Sequence, residues 1–239
     1  SSTAAAANIQ AALARADRAL RDAETNPFRG AEAVQEFLFA RAHTLALARE
    51  RTDAKRALLR YAAAFPDGSH IGEVYFALGQ MYKDEGKIDL ATAYLQQAGV
   101  MKEGGAALRD AADLLLESGR HERAIAAYRK LAEQAGSPVE RQYAESRVGV
   151  AHYRAGTLDE AQKGVAAFKS AWPDAEPVFD EFELERGKYF FRKGDYRQAQ
   201  DIFDDVEDSD VKAISALAMY WDGRCLEAQS KNAAAIKRF

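Results

Sequence analysis

The residue types that could support catalysis or metal binding in this sequence are four histidines, one cysteine and a run of acids near the C-terminus. His43, His70, His121 and His152 share no common spacing, so we expect surface or packing residues at these positions. The lone Cys225 cannot form an internal disulfide and is predicted to be a small buried residue. Phosphate loops, nucleophile elbows, His-Glu-x-x-His motifs and zinc-binding cysteine pairs are missing from the sequence. The sequence therefore predicts a protein that is not an enzyme and binds no cofactor.

The acidic run contains Asp204, Asp205, Glu207, Asp208 and Asp210. Several carboxylate oxygens held together are what a calcium ion binds. No glycine in the run supplies the sharp turn of a calcium loop, however. A calcium site stays open as an alternative, and the sequence favours a solvated connector.

Charge is nearly balanced over the whole chain but unevenly distributed along it. The 37 acids and 33 bases give a net charge of −4, which offers no general attraction for nucleic acid. Residues 174–210 hold 13 acids and five bases, whereas residues 1–66 hold ten bases and seven acids. This asymmetry would attract a partner with a basic segment to the C-terminal part or favour head-to-tail self-association; an ordinary solvated surface explains it as well. No stretch approaches the roughly 18 apolar residues of a membrane span.

The elements that position these residues are predicted to be helices. Alanine fills 50 of the 239 positions and there are only five prolines, a composition that favours an all-α fold. We predict helices at 4–24, 31–50, 53–65, 70–85, 88–99, 105–118, 121–135, 138–155, 158–171, 177–193, 196–206, 210–229 and 232–239.

Glycines repeat at a nearly constant interval. Gly86, Gly119, Gly156 and Gly194 each lie in a polar break, 33 to 38 residues apart, which is the length of two short helices and two turns. A small residue occurs seven positions before each glycine and another five positions after it, with a large apolar residue four positions further. Such small residues allow two helices to cross closely. The glycine supplies a left-handed helix end.

Two further copies lack the glycine and are centred on Thr52 and Ser230, which gives six frames in all. We therefore predict a right-handed α-solenoid of five to six helical hairpins at 31–239, preceded by a capping helix at 1–30. The last repeat is incomplete at Phe239, and the chain starts without methionine. We expect a piece of a longer protein.

These hairpins resemble the tetratricopeptide repeat (TPR) family. In the clearest copy, Tyr75 to Tyr82 is followed by Ala91, Leu95 and Ala98, with tyrosine where the family often has tryptophan. A second copy contains Gly149, Tyr153, Ala161, Phe168 and Pro173. The resemblance covers residues 31–239 and implies a protein that binds other proteins.

In TPR proteins the first helix of each hairpin lines a concave groove, and residues at fixed offsets before the turn glycine face it. Transferred to this sequence, those offsets imply a groove that binds a protein or peptide partner. Aromatic rings give contact area at low entropic cost, and guanidinium groups fix orientation. The same rings could instead pack on the neighbouring repeat. The predicted groove residues are Phe76, Gln80, Lys83, Arg109, Asp113, Tyr143, Tyr153, Arg154, Lys188, Phe191, Arg192, Tyr220 and Arg224.

Two shorter resemblances suggest a compartment. The helix that ends in Phe65-Pro66 is similar to repeats of bacterial envelope proteins, such as BamD-like assembly lipoproteins and the periplasmic TolA-binding proteins. They imply a periplasmic or envelope-associated scaffold; a cytoplasmic location stays open. The segment from Ala218 to Ala228 is similar to the superhelix of soluble lytic transglycosylases, which implies the non-catalytic arm of a cell-wall enzyme as the alternative. A scaffold that mainly self-associates is the third possibility.

Overall fold

The computed structural model of the protein describes residues 2–25, 30–101 and 104–238, and these residues form thirteen α-helices and no strand. All thirteen predicted helices are present. Phe239, at which we placed the end of the last repeat, lies outside the described residues. The helices are α1 (Ser2–Thr25), α2 (Ala31–Leu47), α3 (Arg51–Ala64), α4 (Ile71–Asp84), α5 (Ile88–Gly99), α6 (Gly105–Glu117), α7 (His121–Gln134), α8 (Pro138–Ala155), α9 (Leu158–Ala171), α10 (Glu176–Lys193), α11 (Tyr196–Glu207), α12 (Lys212–Ala228) and α13 (Asn232–Arg238).

The chain divides into two compact units, Ser1–Leu114 and Leu115–Phe239, with the boundary inside α6. In unit 1 each helix from α1 to α4 packs against the helix that follows it, around a core that includes Leu38, Tyr61 and Leu78. In unit 2 the pairs α7 with α8, α10 with α11 and α12 with α13 pack in the same way, and α10 also contacts α8 and α12. The first helices of successive hairpins therefore lie side by side. That residues 31–239 form one continuous superhelix stays a prediction.

The turns of the hairpins share one hydrogen-bonding pattern. At Gly156, φ is 83°, its N–H donates to the Tyr153 carbonyl at 3.2 Å, and the next N–H donates to the His152 carbonyl at 3.1 Å. The same pair of bonds closes the turns at Gly86, Gly119 and Gly194, each with positive φ. This is the Schellman helix end, in which a left-handed residue satisfies the last carbonyls of the helix. The predicted hinge positions at the four glycines are confirmed.

The structure corrects the first frame. The left-handed residue there is Arg49, with φ of 61°, and not Thr52. Counting from Arg49, the small residue seven before is Ala42, the small residue five after is Ala54, and the large residue is Leu58, all of them buried. The frame was misplaced by three residues because a left-handed arginine leaves no signal in the sequence. For the same reason α2 ends at Leu47 and not at residue 50 as predicted. Ser230, with φ of 62°, holds the predicted position of the last frame.

The predicted packing pattern is confirmed by burial. Every small residue seven positions before a turn glycine or five positions after it is buried, and so is the large residue four positions further. Cys225 is also fully buried, as predicted, and burial among apolar neighbours raises the pKa of its thiol to about 12.

Substitutions at the turns should change stability in opposite directions. Gly156→Ala is expected to destabilise unit 2 by about 1 kcal/mol, because a Cβ meets nothing within 4 Å and only the left-handed backbone resists it. Arg49→Gly should stabilise unit 1 by about the same amount. Gly164→Ala, in the middle of α9 and equally open, is the control and should stabilise by about 0.5–1 kcal/mol. Urea unfolding of the three variants measures these differences; equal effects of Gly156→Ala and Gly164→Ala would contradict the assigned turn.

Candidate functional site

The largest group of predicted groove residues comes together in unit 2. Helices α8, α10 and α12 are the first helices of their hairpins, and α10 lies against both of the others. Their side chains form what we call the basic-aromatic face, which consists of Arg154, Lys188, Phe191, Arg192, Tyr220, Trp221 and Arg224.

A buried carboxylate organises the basic half of this face. Glu185 is only 3% exposed. It accepts hydrogen bonds from Arg154, Nη2 to Oε1 at 3.0 Å and Nε to Oε2 at 3.2 Å, and from Lys188 Nζ at 3.0 Å. Burial by itself would raise the pKa of Glu185, but the hydrogen bond from Arg154 and the charges of both cations outweigh it and hold the pKa below its ordinary value. Glu185 is therefore ionised at neutral pH and fixes both cations in place.

Arg192 adds a third cation beside this cluster. Its Nη2 donates to the Tyr153 carbonyl at 2.8 Å. Burial, together with the charges of Arg154 and Arg192, lowers the pKa of His121, so His121 is neutral at pH 7. Its Nδ1 is buried and meets no hydrogen-bond partner among the residues that the structure describes. Burial is the larger cause of this shift, and the positive charges of Arg154 and Arg192 add to it.

Aromatic rings form the other half of the face. Trp221 packs edge-on against Phe191 and Tyr220, with ring centroids 5.1 Å and 5.7 Å apart. The Lys188 ammonium lies 5.9 Å from the centre of the Trp221 ring, and the Arg224 guanidinium lies 5.9 Å from that of Tyr220. Tyr220 remains 42% exposed and its hydroxyl accepts from Arg224 at 3.0 Å. The rings are thus held by one another and by the cations, while part of their surface faces solvent.

The face has a surplus of positive charge. It contains four cations, and the carboxylates paired with them are Glu185 and Glu227, which leaves two positive charges. Part of the acid excess of residues 174–210 lies on α11, which carries four acids and one base and where Asp201, Asp204 and Asp205 are exposed.

The acidic run begins inside α11, as the predicted helix at 196–206 implies, and ends in the connection to α12. Asp204 and Glu207 lie in the last turns of α11, and Arg238 pairs with both of them. Within the described ranges, no group of three histidine, cysteine or acidic side chains is arranged so that it could hold a metal ion, which gives the calcium alternative no support.

Other predicted groove residues lie apart from the face. Tyr143, near the start of α8, packs on Tyr128 and stacks against the Arg147 guanidinium. Tyr153 is 2% exposed, so its ring is a core residue and the prediction that it faces a partner is wrong. The ring is buried because α10 covers it, and only its carbonyl takes part, through Arg192.

Five predicted residues belong to unit 1. Phe76 is 36% exposed, and Gln80 donates to Asp110 Oδ2 at 2.5 Å. Arg109 lies 3.8 Å from Asp113, one turn further along α6, and Lys83 is half-buried near the end of α4. Their contact with a partner stays a prediction.

Sequence reasoning missed one position of the repeat. Glu185 and Trp221 both lie nine residues before their turn residue, an offset that the TPR resemblance did not supply. Arg147, at the same offset, forms a two-bonded ion pair with Glu181 at 2.6 and 2.7 Å. The sequence contained a signal for such pairs, because residues of opposite charge, such as Arg147 and Glu181, lie about one repeat apart.

In the ranges that the structure covers, none of the helices combines the length and the apolar character of a membrane-spanning segment.

Comparison with known proteins agrees with this architecture. The model of a family described as tetratricopeptide repeat matches residues 76–138, 109–176 and 184–239. No curated protein sequence matches the chain.

Solved structures with a similar fold include three with TM-scores above 0.5. One is a tetratricopeptide repeat protein from Parabacteroides merdae (TM-score 0.55, 14% identity, 97% of this chain and 84% of the other). A second is apo RapI (TM-score 0.59, 14% identity, 88% of this chain and 64% of the other). The third is PilW, a type IV pilus biogenesis factor (TM-score 0.52, 16% identity, 86% of this chain and 90% of the other). The family model covers more than half of the sequence, and the chain therefore belongs to the tetratricopeptide repeat family.

Proposed function

We propose that this protein is a non-enzymatic scaffold that binds an acidic peptide segment of a protein partner on its basic-aromatic face. TPR proteins bind protein partners, which supports the general role. The observation that carries the finer proposal is the surplus of two positive charges beside rings that are partly open to solvent.

The two halves of the face have complementary tasks. Partly exposed rings such as Tyr220 and Trp221 provide rigid contact area, because they are already held by their neighbours and lose little freedom on binding. The surplus cations attract carboxylates and speed up encounter. The buried Glu185 keeps Arg154 and Lys188 oriented before any partner arrives. Binding should therefore weaken as salt is raised.

The structure determines which arginines can test this proposal. Arg154 is paired with the buried Glu185, so Arg154→Glu would place two carboxylates together in the interior and unfold unit 2. Arg192 and Arg224 form no hydrogen-bonded ion pair with a buried carboxylate in the described structure. Arg192 donates to a carbonyl and interacts with Glu185 only through its charge, and Arg224 donates to Tyr220 and pairs with the exposed Glu227. Arg197, exposed on α11, offers the same change of charge away from the face.

The double variant Arg192→Glu and Arg224→Glu is expected to bind a rhodamine-labelled decapeptide of Glu, Asp, Leu and Phe at least tenfold more weakly than the wild type, measured by fluorescence anisotropy. Reversing two charges on the face adds repulsion where the wild type attracts. Arg197→Glu should change the affinity less than threefold. Circular dichroism is the check that both variants are folded. Equal affinity of the double variant and the wild type would refute the proposed site.

We further propose an envelope location in a bacterium. The resemblance of the Phe65-Pro66 helix end to envelope TPR proteins supports it. PilW, a type IV pilus biogenesis factor, has the same fold, and at 16% identity the likeness extends to the fold alone. Immunoblotting of periplasmic, membrane and cytoplasmic fractions of the source organism tests the location, and a purely cytoplasmic signal would contradict it.

A further inference from the structure

We propose that a cavity in unit 1 is a second binding site, which takes an apolar side chain flanked by a basic residue of a partner segment. The cavity has a volume of about 910 Å³ and is lined by α2, α4, the start of α6 and the connection between α3 and α4. This is at the upper end of the sizes typical of ligand pockets. Its interior is largely apolar, with Phe39, Phe76, Met81 and Met101 among the lining residues.

The rings and thioethers inside the cavity suit an apolar anchor. Phe76 lines the cavity and is 36% exposed, so apolar surface is left open to water. Methionine side chains adapt to differently shaped apolar groups. Covering such surface with a partner side chain is favourable because it removes apolar area from water.

The edge of the cavity is acidic. Asp67 and Glu73 are lining residues, and no lysine or arginine occurs among the lining residues that the structure describes. Glu36 lies just behind this edge, where its Oε1 is 3.0 Å from His70 Nε2, and Glu73 Oε1 is 3.0 Å from His70 Nδ1. Two carboxylates, Asp67 and Glu73, therefore line the opening, and Glu36 lies behind them. The hydrogen bonds with Glu73 and Glu36 outweigh burial and raise the pKa of His70, so His70 offsets part of this negative charge. The only other titratable side chain among the described lining residues is His43, and the three carboxylates outnumber His70, so the described edge is negative at neutral pH.

The wall that carries this charge is fixed in place. The His70 ring stacks on Phe39 with centroids 4.0 Å apart and planes 5° from parallel, while its backbone N–H donates to the Tyr61 hydroxyl at 3.1 Å. His70 thus joins α2 to the start of α4 through Glu36 and Glu73. A preorganised acidic edge over an apolar interior selects a segment in which lysine or arginine is next to a large apolar residue. The charge is opposite to that of the basic-aromatic face, so the site requires a different segment and does not depend on the proposed function.

The test uses two defined peptides and the whole ¹⁵N-labelled protein. The basic probe is acetyl-Gly-Ser-Lys-Leu-Phe-Lys-Ser-Gly-amide, and the control replaces both lysines with glutamate. Titration with the basic probe should shift the amide signals of Gly72, Ala77 and Ala106, which lie along the cavity. The acidic control should bind there at least tenfold more weakly. Unchanged signals at these amides, or equal binding of the two peptides, would overturn the proposal.

Two variants with a matched control locate the site. Glu73→Lys should weaken binding of the basic probe at least tenfold. Asp84→Lys makes the same change eleven residues further along α4, about 16 Å away, on an exposed residue paired with Arg51, and should weaken it less than threefold. Phe76→Ala, which keeps the charge and removes part of the apolar wall, should weaken it at least threefold. Binding that survives both Glu73→Lys and Phe76→Ala refutes the site.

The double variant Arg192→Glu and Arg224→Glu should bind the basic probe like the wild type. A failure of the cavity proposal can therefore be told apart from a failure of the proposed function.

Discussion

Replacement of Glu185 with alanine is expected to destabilise unit 2 by about 3–5 kcal/mol. The carboxylate is 3% exposed and satisfies Arg154 and Lys188 together, and the side chain of Lys188 is itself only 15% exposed. Removing it leaves two cations close to each other in a site that water reaches poorly. The loss is measured as the change in free energy of unfolding in urea, followed by circular dichroism.

Glu227→Ala is the control for this experiment. Glu227 also pairs with an arginine of the same face, Arg224 at 2.9 Å, but its side chain is 57% exposed. Exposed ion pairs contribute about 0–1 kcal/mol, so a small change is expected. Similar losses of stability from Glu185→Ala and Glu227→Ala would mean that burial does not strengthen the ion pairs of Glu185. Glu185 would then not be the residue that organises the face.

The pH dependence of stability follows from the same pair of charges. The pKa of Glu185 is below its ordinary value of 4.5 because the hydrogen bond from Arg154 and the nearby cations outweigh the opposing effect of burial. The ionised, paired carboxylate therefore stabilises the folded state at pH values above the unfolded pKa, and this contribution is lost as the pH falls through the lower, folded pKa. The stability difference between wild type and Glu185→Gln should accordingly shrink on acidification from pH 6 toward pH 3.

The hairpins could be predicted from sequence because their turns are encoded locally. A glycine such as Gly156 in a polar break, with small residues at fixed distances, specifies the end of one helix and the crossing of two, and the structure places the helices accordingly. Arg49 shows the limit of this reasoning. It adopts the same left-handed conformation at a cost that tertiary packing offsets, and arginine gives no indication of it.

The site was harder to predict than the fold because exposure depends on the neighbouring hairpin. Tyr153 has the offset of a groove residue, yet its ring is in the core. Glu185 looks like an ordinary surface acid in sequence, and only the neighbouring hairpin reveals that Arg154 lies against it. Contacts between repeats join residues 31 to 39 positions apart here, and composition and periodicity carry no direct information on which of those pairs meet.

Gly187→Ala is expected to destabilise unit 2 by about 2–3 kcal/mol, although alanine favours a helix interior by about 1 kcal/mol over glycine. A Cβ at Gly187 would lie 2.8 Å from each of two ring carbons of Phe203. Phe203 is fully buried, so its ring cannot move aside without displacing its neighbours.

A double-mutant cycle with Phe203→Leu separates this clash from other effects, because the smaller side chain makes room for the new methyl group. Gly187→Ala should then cost at least about 1 kcal/mol less in the Phe203→Leu background than in the wild type. Strictly additive effects would show that the small residue at this crossing is not what lets α10 approach α11, and the packing pattern on which the repeat assignment depends would lose its physical basis.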